Sequence, residues 1–279
     1  MIFTVNDGNL TRYVGDESVV TVPEGVRSIS CGAFIRKRRV REIILPEGVT
    51  VIDDYAFKEC SALERIALPE SVTEIGASAF EDCCQLKSIQ LPQTLTELGG
   101  FAFCGCKALE SVILPAGLKA LSPYVFYKCD GLKNAVIPEG TVKIGRGAFA
   151  GCASLKSITL PSSVEHLGDF VFSDCSSLSE IIFKGAQRCF LGMCVFNALP
   201  DPFRVTFAGD SETWKEMIKP FYTAPEYETM YGERGSYTLD YPMGQRDCKP
   251  ILCITDCLAD GISVESRGRS ASENGGIAY

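Results

Sequence analysis

His166 is the one imidazole available to acid–base or metal chemistry in this 279-residue chain. That excludes multi-histidine metal sites and leaves one candidate general base. Nucleophilic catalysis would also need a nucleophile and an orienting acid within hydrogen-bond reach. The setting Val164-Glu165-His166-Leu167 supplies no such pair, and no G-x-S-x-G turn occurs. Paired carboxylates, which glycoside hydrolysis requires, occur as Asp53-Asp54 and Glu81-Asp82, but at positions that read as turns. No glycine loop of the phosphate-cradling type is present. The chain therefore reads as a non-enzyme with no catalytic residues and no cofactor.

The 14 cysteines are the other chemically suggestive set, and six of them, Cys60, Cys83, Cys106, Cys129, Cys152 and Cys175, recur at a constant step of 23. Zinc needs four thiolates around one point, whereas a straight column advancing about 4.8 Å per stacked strand cannot wrap. Parallel side-chain vectors also disfavour disulfides between neighbours. The column is expected to be small, buried, reduced thiols packing as apolar groups. Outside it lie Cys31, Cys84, Cys104, Cys189, Cys194, Cys248, Cys253 and Cys257. The last three form the one metal-like cluster, but they lack the paired C-x2-C spacing of a zinc site, so no metal is expected.

Composition narrows the function classes further. Net charge is −8 with a pI near 4.9, which argues against a nucleic-acid partner. Hydrophobic residues make up 46%, too many for a disordered chain. No stretch reaches the roughly 18 apolar residues of a membrane span, so no membrane insertion is expected. Ile35-Arg36-Lys37-Arg38-Arg39-Val40-Arg41 is a basic run in this acidic background; it reads either as a docking patch or as a solvated turn. The opening Met1 to Gly8 lacks the basic and apolar regions of an export signal. With so many cysteines, the expectation is a reducing cytoplasm, with the cell surface as the alternative.

The elements that position these residues follow from a repeat. Prolines fall at 23, 46, 69, 92, 115, 138 and 161, each 23 residues after the last. Around them runs E-G-V-x-x-I-G-x-x-A-F-x-x-C-x-x-L-x-x-I-x-L-P, in seven copies from Glu24 to Lys184 and a degenerate eighth from Gly185 to Ala208. Such periodicity specifies a solenoid. Leu-x-x-Ile-x-Leu reads as a strand with one buried face. Pro-Glu-Gly reads as a tight turn, and Val-x-x-Ile as a second short extended piece. Ser, Asp or Gly then precedes Ala-Phe-x-x-Cys in the manner of a helix cap, predicting one short helical turn. Phenylalanines 34, 57, 80, 103, 126, 149 and 172 are expected to stack in one column and leucines 63, 86, 109, 132, 155 and 178 in another.

The A-F-x-x-C-x-x-L-x-x-I-x-L-P repeat resembles the BspA-type leucine-rich repeat of bacterial surface proteins and some protists, over about residues 1 to 220. The resemblance implies a mainly β solenoid, a leucine-rich-repeat right-handed superhelix with terminal caps. It implies a role in interaction or adhesion and carries over no catalytic residues. The expected organisation is an N-terminal cap over 1–23, made of extended segments Ile2 to Val5 and Val19 to Val22, then repeats over 24–208. A capping helix over 209–223, around Trp214 and Ile218, and an extension over 224–279, expected to end in a flexible tail from Glu265 on, follow.

Two rows should point outward from the Leu-x-x-Ile-x-Leu strands. One is Glu42, Arg65, Ser88, Ser111, Asn134, Ser157 and Glu180; the other is Ile44, Ala67, Gln90, Ile113, Val136, Thr159 and Ile182. The second is apolar for a solvent-facing row, which either marks a binding surface or reflects β-propensity alone. Glu42, Arg65, Ser88, Gln90, Ser111, Ile113, Asn134, Val136, Ser157, Thr159 and Glu180 are the candidate interaction surface, for an unidentified protein partner. In the extension, Tyr222, Tyr227, Tyr231, Tyr237 and Tyr241 crowd together, and Ile251 to Val264 reads as a strand or two. A rival enzymatic reading would place activity there on Asp240, Asp247, Asp256 and Asp260, without a histidine.

Overall fold

The structure is a computed structural model that describes residues 1–200, 203–209, Thr213, Glu216, 252–254 and 262–266. It is a β-solenoid, and each 23-residue coil lays down two short strands, one on either side of the proline turn. The strands before the prolines run Val19–Thr21, Glu42–Ile44 and Arg65–Ala67, then Ser111–Ile113, Asn134–Val136, Ser157–Leu160, Glu180–Phe183 and Phe203–Phe207. Between the two runs, Ser88 alone bridges Ser111. Those after the prolines run Ser28–Ile29, Val51–Ile52, Glu74–Ile75 and Glu97–Leu98, then Ala120–Leu121, Lys143–Ile144, His166–Leu167 and Phe190–Leu191. Where strands pair along the coils they do so parallel and in register with the same position one coil on, as Val51↔Glu74 and Glu42↔Arg65 show; no strand pairing carries Arg65–Ala67 to the next coil, Asn134–Val136 to Ser157–Leu160, or Glu97–Leu98 to Ala120–Leu121.

The third side of each coil corrects one expectation. Ala-Phe-x-x-Cys is a chain of tight turns, not a helical turn. Tyr55 and Glu59 sit at φ 58° and 57°, Phe101 at 59° and Lys128 at 55°. Along it the amide hydrogens alternate in use. Phe57 N–H donates to Ala79 of the next coil, Lys58 N–H to Tyr55 within its own, and Glu59 N–H to Glu81 of the next. A helix would keep all these bonds inside one coil, so the left-handed residues exchange local helicity for stacking. The Gly in the expected cap position serves packing instead: a Cβ on Gly76 would lie 2.5 Å from the backbone nitrogen of Asp54.

Packing inside is columnar. Phe34, Phe57, Phe80, Phe103, Phe126, Phe149 and Phe172 are all fully buried, with successive ring centroids 5.1 to 5.9 Å apart. Leu63, Leu86, Leu109, Leu132, Leu155 and Leu178 form the parallel buried column. The stack of rings starts one coil earlier than the repeat pattern implies, since Tyr13 stacks on Phe34 at 4.9 Å.

At the N-terminal end the strands are Ile2–Asn6 and Asn9–Val14, an antiparallel hairpin turned by Asp7 and Gly8 at φ 49° and 80°. Two left-handed residues are what a two-residue hairpin turn demands. Asn9–Val14 joins the post-proline ladder and Val19–Thr21 the pre-proline ladder, so residues 1–23 contain a coil of their own, where two extended segments were expected. At the other end, Ile262–Ser266 pairs antiparallel with Phe203–Phe207, and Leu252–Ile254 adds beyond it. Thr213 and Glu216 are helical; Trp214, Ile218, the five tyrosines and the four aspartates of the extension lie outside the described residues.

Candidate interaction face

The alternation of each pre-proline strand turns the middle residue inward and its neighbours outward. Ile43, Ile66, Val112, Ile158 and Ile181 are buried accordingly. Glu42, Arg65, Ser111, Asn134, Ser157 and Glu180 occupy the outward position of their strands, with Glu42 and Glu180 half-buried and the others exposed. The guanidinium of Arg65 donates to Glu42 Oε2 at 3.0 Å across one coil step. In the second row Ile113 is 65% exposed and Val136 53%, and they are direct neighbours in register. Ile44 and Ala67 are a further exposed pair, while Thr159 and Ile182 are half-buried. Ser88 and Gln90 are exposed, and Gln90 lies outside any strand. The candidate residues thus share one side of the solenoid, whose strand ladder is interrupted at the third repeat and again between Val136 and Ser157.

The chemically suggestive residues resolve into structural roles. Arg36 and Arg38 both bind Glu59, Arg39 approaches Asp16 at 3.6 Å and Arg41 approaches Glu64 at 3.7 Å. Lys37 lies over the ring of Tyr13. The two guanidiniums hold the Glu59 carboxylate below its ordinary pKa, so the basic run is a set of coil-to-coil ion pairs. Asp53 accepts the amide hydrogen of Asp54, and Asp54 that of Ala77 at 2.6 Å; Glu81 pairs with Lys58 at 2.8 Å. The six column cysteines are buried, and each thiol donates to a phenylalanine carbonyl 26 residues earlier, from Cys60→Phe34 to Cys175→Phe149. Burial pushes the thiols of Cys60 and Cys175 up to about 12 and the four between them well above the ordinary value. Among the described residues no group of three His, Cys, Asp or Glu is placed to hold a metal. Cys248 and Cys257 lie outside them. Among the same residues no helix is long and apolar enough to cross a membrane.

The post-proline side carries features the sequence reading passed over. Its outward column is Val51, Glu74, Glu97, Ala120, Lys143, His166 and Phe190, paired in register from Val51 to Glu97 and from Ala120 to Phe190, with no strand pairing between Glu97 and Ala120. His166 is exposed, as expected, and its ring lies 5.9 Å from that of Phe190, which is 64% exposed. A cleft of about 530 Å³ opens over Glu74, Glu97 and Ala120, and one of about 690 Å³ over Ala120, Lys143, His166 and Phe190. The signal was present in the sequence: the variability at this column separates acidic residues at one end from basic ones at the other.

A family model described as "BspA type Leucine rich repeat region" matches residues 16–133 and 119–198 in 6 copies. Among solved structures, a leucine-rich repeat protein from Bacteroides ovatus is 32% identical, with 71% of this chain and 55% of that one covered and a TM-score of 0.63. A leucine rich cell surface protein from Faecalibacterium prausnitzii is 28% identical, covering 67% and 54%, with a TM-score of 0.62. The T. pallidum leucine rich repeat protein is 31% identical over 69% of this chain and 83% of that one, with a TM-score of 0.52. The chain spans about half the length of the first two. No curated protein matches it.

Proposed function

The chain belongs to the BspA-type leucine-rich repeat family, and on that premise we propose that it is a non-catalytic protein-interaction scaffold that binds through the pre-proline strand face. The observation that carries this reading is the exposed pair Ile113 and Val136, at 65% and 53%, on strands whose backbones are paired. Exposed apolar surface rimmed by polar side chains, here Ser111 and Asn134, marks interaction sites. A stacked array offers many small contacts over several coils to one partner. The test is affinity capture by the full chain compared with an Ile113→Asp/Val136→Asp variant. A partner held by the first and lost by the second supports the face; a partner held equally by both overturns it.

For location, we propose a reducing compartment, because Cys31 is exposed and Cys84 and Cys104 are partly so, all as free thiols. The second reading, display at the cell surface as an adhesin, is favoured by the similarity to a leucine rich cell surface protein. Protease treatment of intact source cells separates the two: digestion supports display, and protection until lysis supports the interior.

A further inference from the structure

We infer that the post-proline face pairs with a second copy of this chain, in an antiparallel two-fold dimer centred on Ala120. Residues along one column are ordered for it. Because the repeat step is 23, Glu97 and Lys143 lie one coil on either side of Ala120, and Glu74 and His166 lie two coils on either side. Val51 and Phe190 lie three coils away, the latter after a one-residue insertion in the eighth coil. A two-fold axis lying parallel to the strands over Ala120 reverses this column against itself. Glu97 then faces Lys143 of the other copy, Glu74 faces His166, the half-buried Val51 faces the exposed Phe190, and small Ala120 meets itself at the axis.

An isologous interface must be self-complementary in this way, and here each acidic position finds a basic or titratable one. Among the described residues, Glu74, Glu97 and Lys143 make no ion pair within the chain, so their charges are available. The clefts over both halves of the column give long side chains of the other copy room to enter. The one like-charged meeting is Lys119 with itself at the axis, and its flexible stem lets the ammonium turn to solvent. Six coil steps at about 4.8 Å make a strip about 29 Å long. That is a short strip, in keeping with the small interfaces of weak, transient complexes.

The experiment is analytical ultracentrifugation of the full chain across micromolar concentrations. An ionic strength of about 0.15 M shortens the screening length to about 8 Å, which removes long-range repulsion between two acidic copies while leaving contact pairs. The wild type is expected to show a monomer–dimer equilibrium. Glu97→Lys alone and Lys143→Glu alone each turn two attractive pairs into two repulsive ones and weaken it by more than about tenfold. Mixing the two single variants restores pairing. The Glu97→Lys copy then carries a cation at both positions and the Lys143→Glu copy a carboxylate at both, so each facing pair is again of opposite sign. Both positions are exposed, and circular dichroism confirms that each variant is folded. A wild type that stays monomeric, singles that dimerise like the wild type, or a mixture that fails to recover overturns the proposal. An Arg65→Glu/Gln90→Glu variant, altered only on the pre-proline face, must still dimerise. Its failure would place the contact on the other face and overturn the assignment.

Discussion

The thiol of Cys106 donates to the carbonyl oxygen of Phe80, 26 residues earlier, at 3.2 Å and out of contact with water. The bond joins two adjacent columns of the core and repeats, one coil at a time, from Cys60 to Cys175. The Phe80 carbonyl also accepts the Cys83 backbone N–H at 3.1 Å, so the thiol fills the second lone pair of a buried oxygen.

These thiols make stability fall steeply in alkali. Burial raises Cys60 and Cys175 from 9.0 to about 12, so the folded chain keeps protons that the unfolded chain releases. Their contribution is fully present below pH 9.0 and is lost as pH rises toward about 12. Each thiol costs about 1.4 kcal/mol per pH unit in that window. Urea unfolding of Cys129→Ala between pH 9 and 11 should therefore give a slope shallower than wild type by about that amount. An unchanged slope would mean that Cys129 ionises equally in both states.

The aromatic column should tolerate truncation poorly. Phe103 is fully buried between Phe80 and Phe126, at 5.2 and 5.6 Å. Phe103→Ala removes two ring contacts and leaves a cavity that neighbouring coils cannot close, at a cost of about 3–5 kcal/mol. Chemical denaturation reads this directly, and Phe103→Leu should recover more than half of the loss.

Gly76 tests the closeness of the coils. Its Cβ would fall 2.5 Å from the Asp54 nitrogen and 2.7 Å from the Asp53 carbonyl carbon. Gly76→Ala must push backbone against backbone and should destabilise by about 1–3 kcal/mol. A helix-capping role would instead make Gly76→Ser neutral or stabilising, so thermal melting of Gly76→Ser, which the packing account expects to be destabilised as well, separates the two explanations.

On the proposed binding face, Arg65→Glu with Gln90→Glu breaks the ion pair to Glu42 and places three acids on neighbouring coils. Stability should change by less than about 1 kcal/mol, because the pair is exposed. Binding of a captured partner should weaken by more than about tenfold. Titration calorimetry with that partner measures the change, and unaltered affinity would count against this face.

Most of the solenoid was legible because like stacks on like. Pro46 to Pro161 marked the coil length, and the Phe and Leu positions marked the core. The candidate face was legible for the same reason: alternation around Ile66 or Ile158 sets which neighbours point out. The turn side was not, because Ala-Phe-x-x-Cys has the spacing of a helical turn, and only the neighbouring coil supplies the acceptors that make left-handed residues at Tyr55 and Glu59 worthwhile. The hairpin of Asn9–Val14 was missed because it lies outside the repeat register. The palindromic charge order around Ala120 was missed because each position was read for its variability and not along the column.

The breaks in the strands have a mechanical consequence. Strand pairing before the prolines stops between Ala67 and Ser88 and again between Val136 and Ser157, and after the prolines between Leu98 and Ala120, where the Ser122 hydroxyl instead reaches the Leu98 carbonyl at 2.6 Å. The turn wall runs unbroken past both, through Phe80 N–H to Ala102 and Phe103 N–H to Val125. The array is therefore stiff along one wall and slit along the other two, like a bound book with its pages loosened near the middle. Bending about that spine should therefore cost less than bending across it, which sets how the array can follow the curvature of a partner.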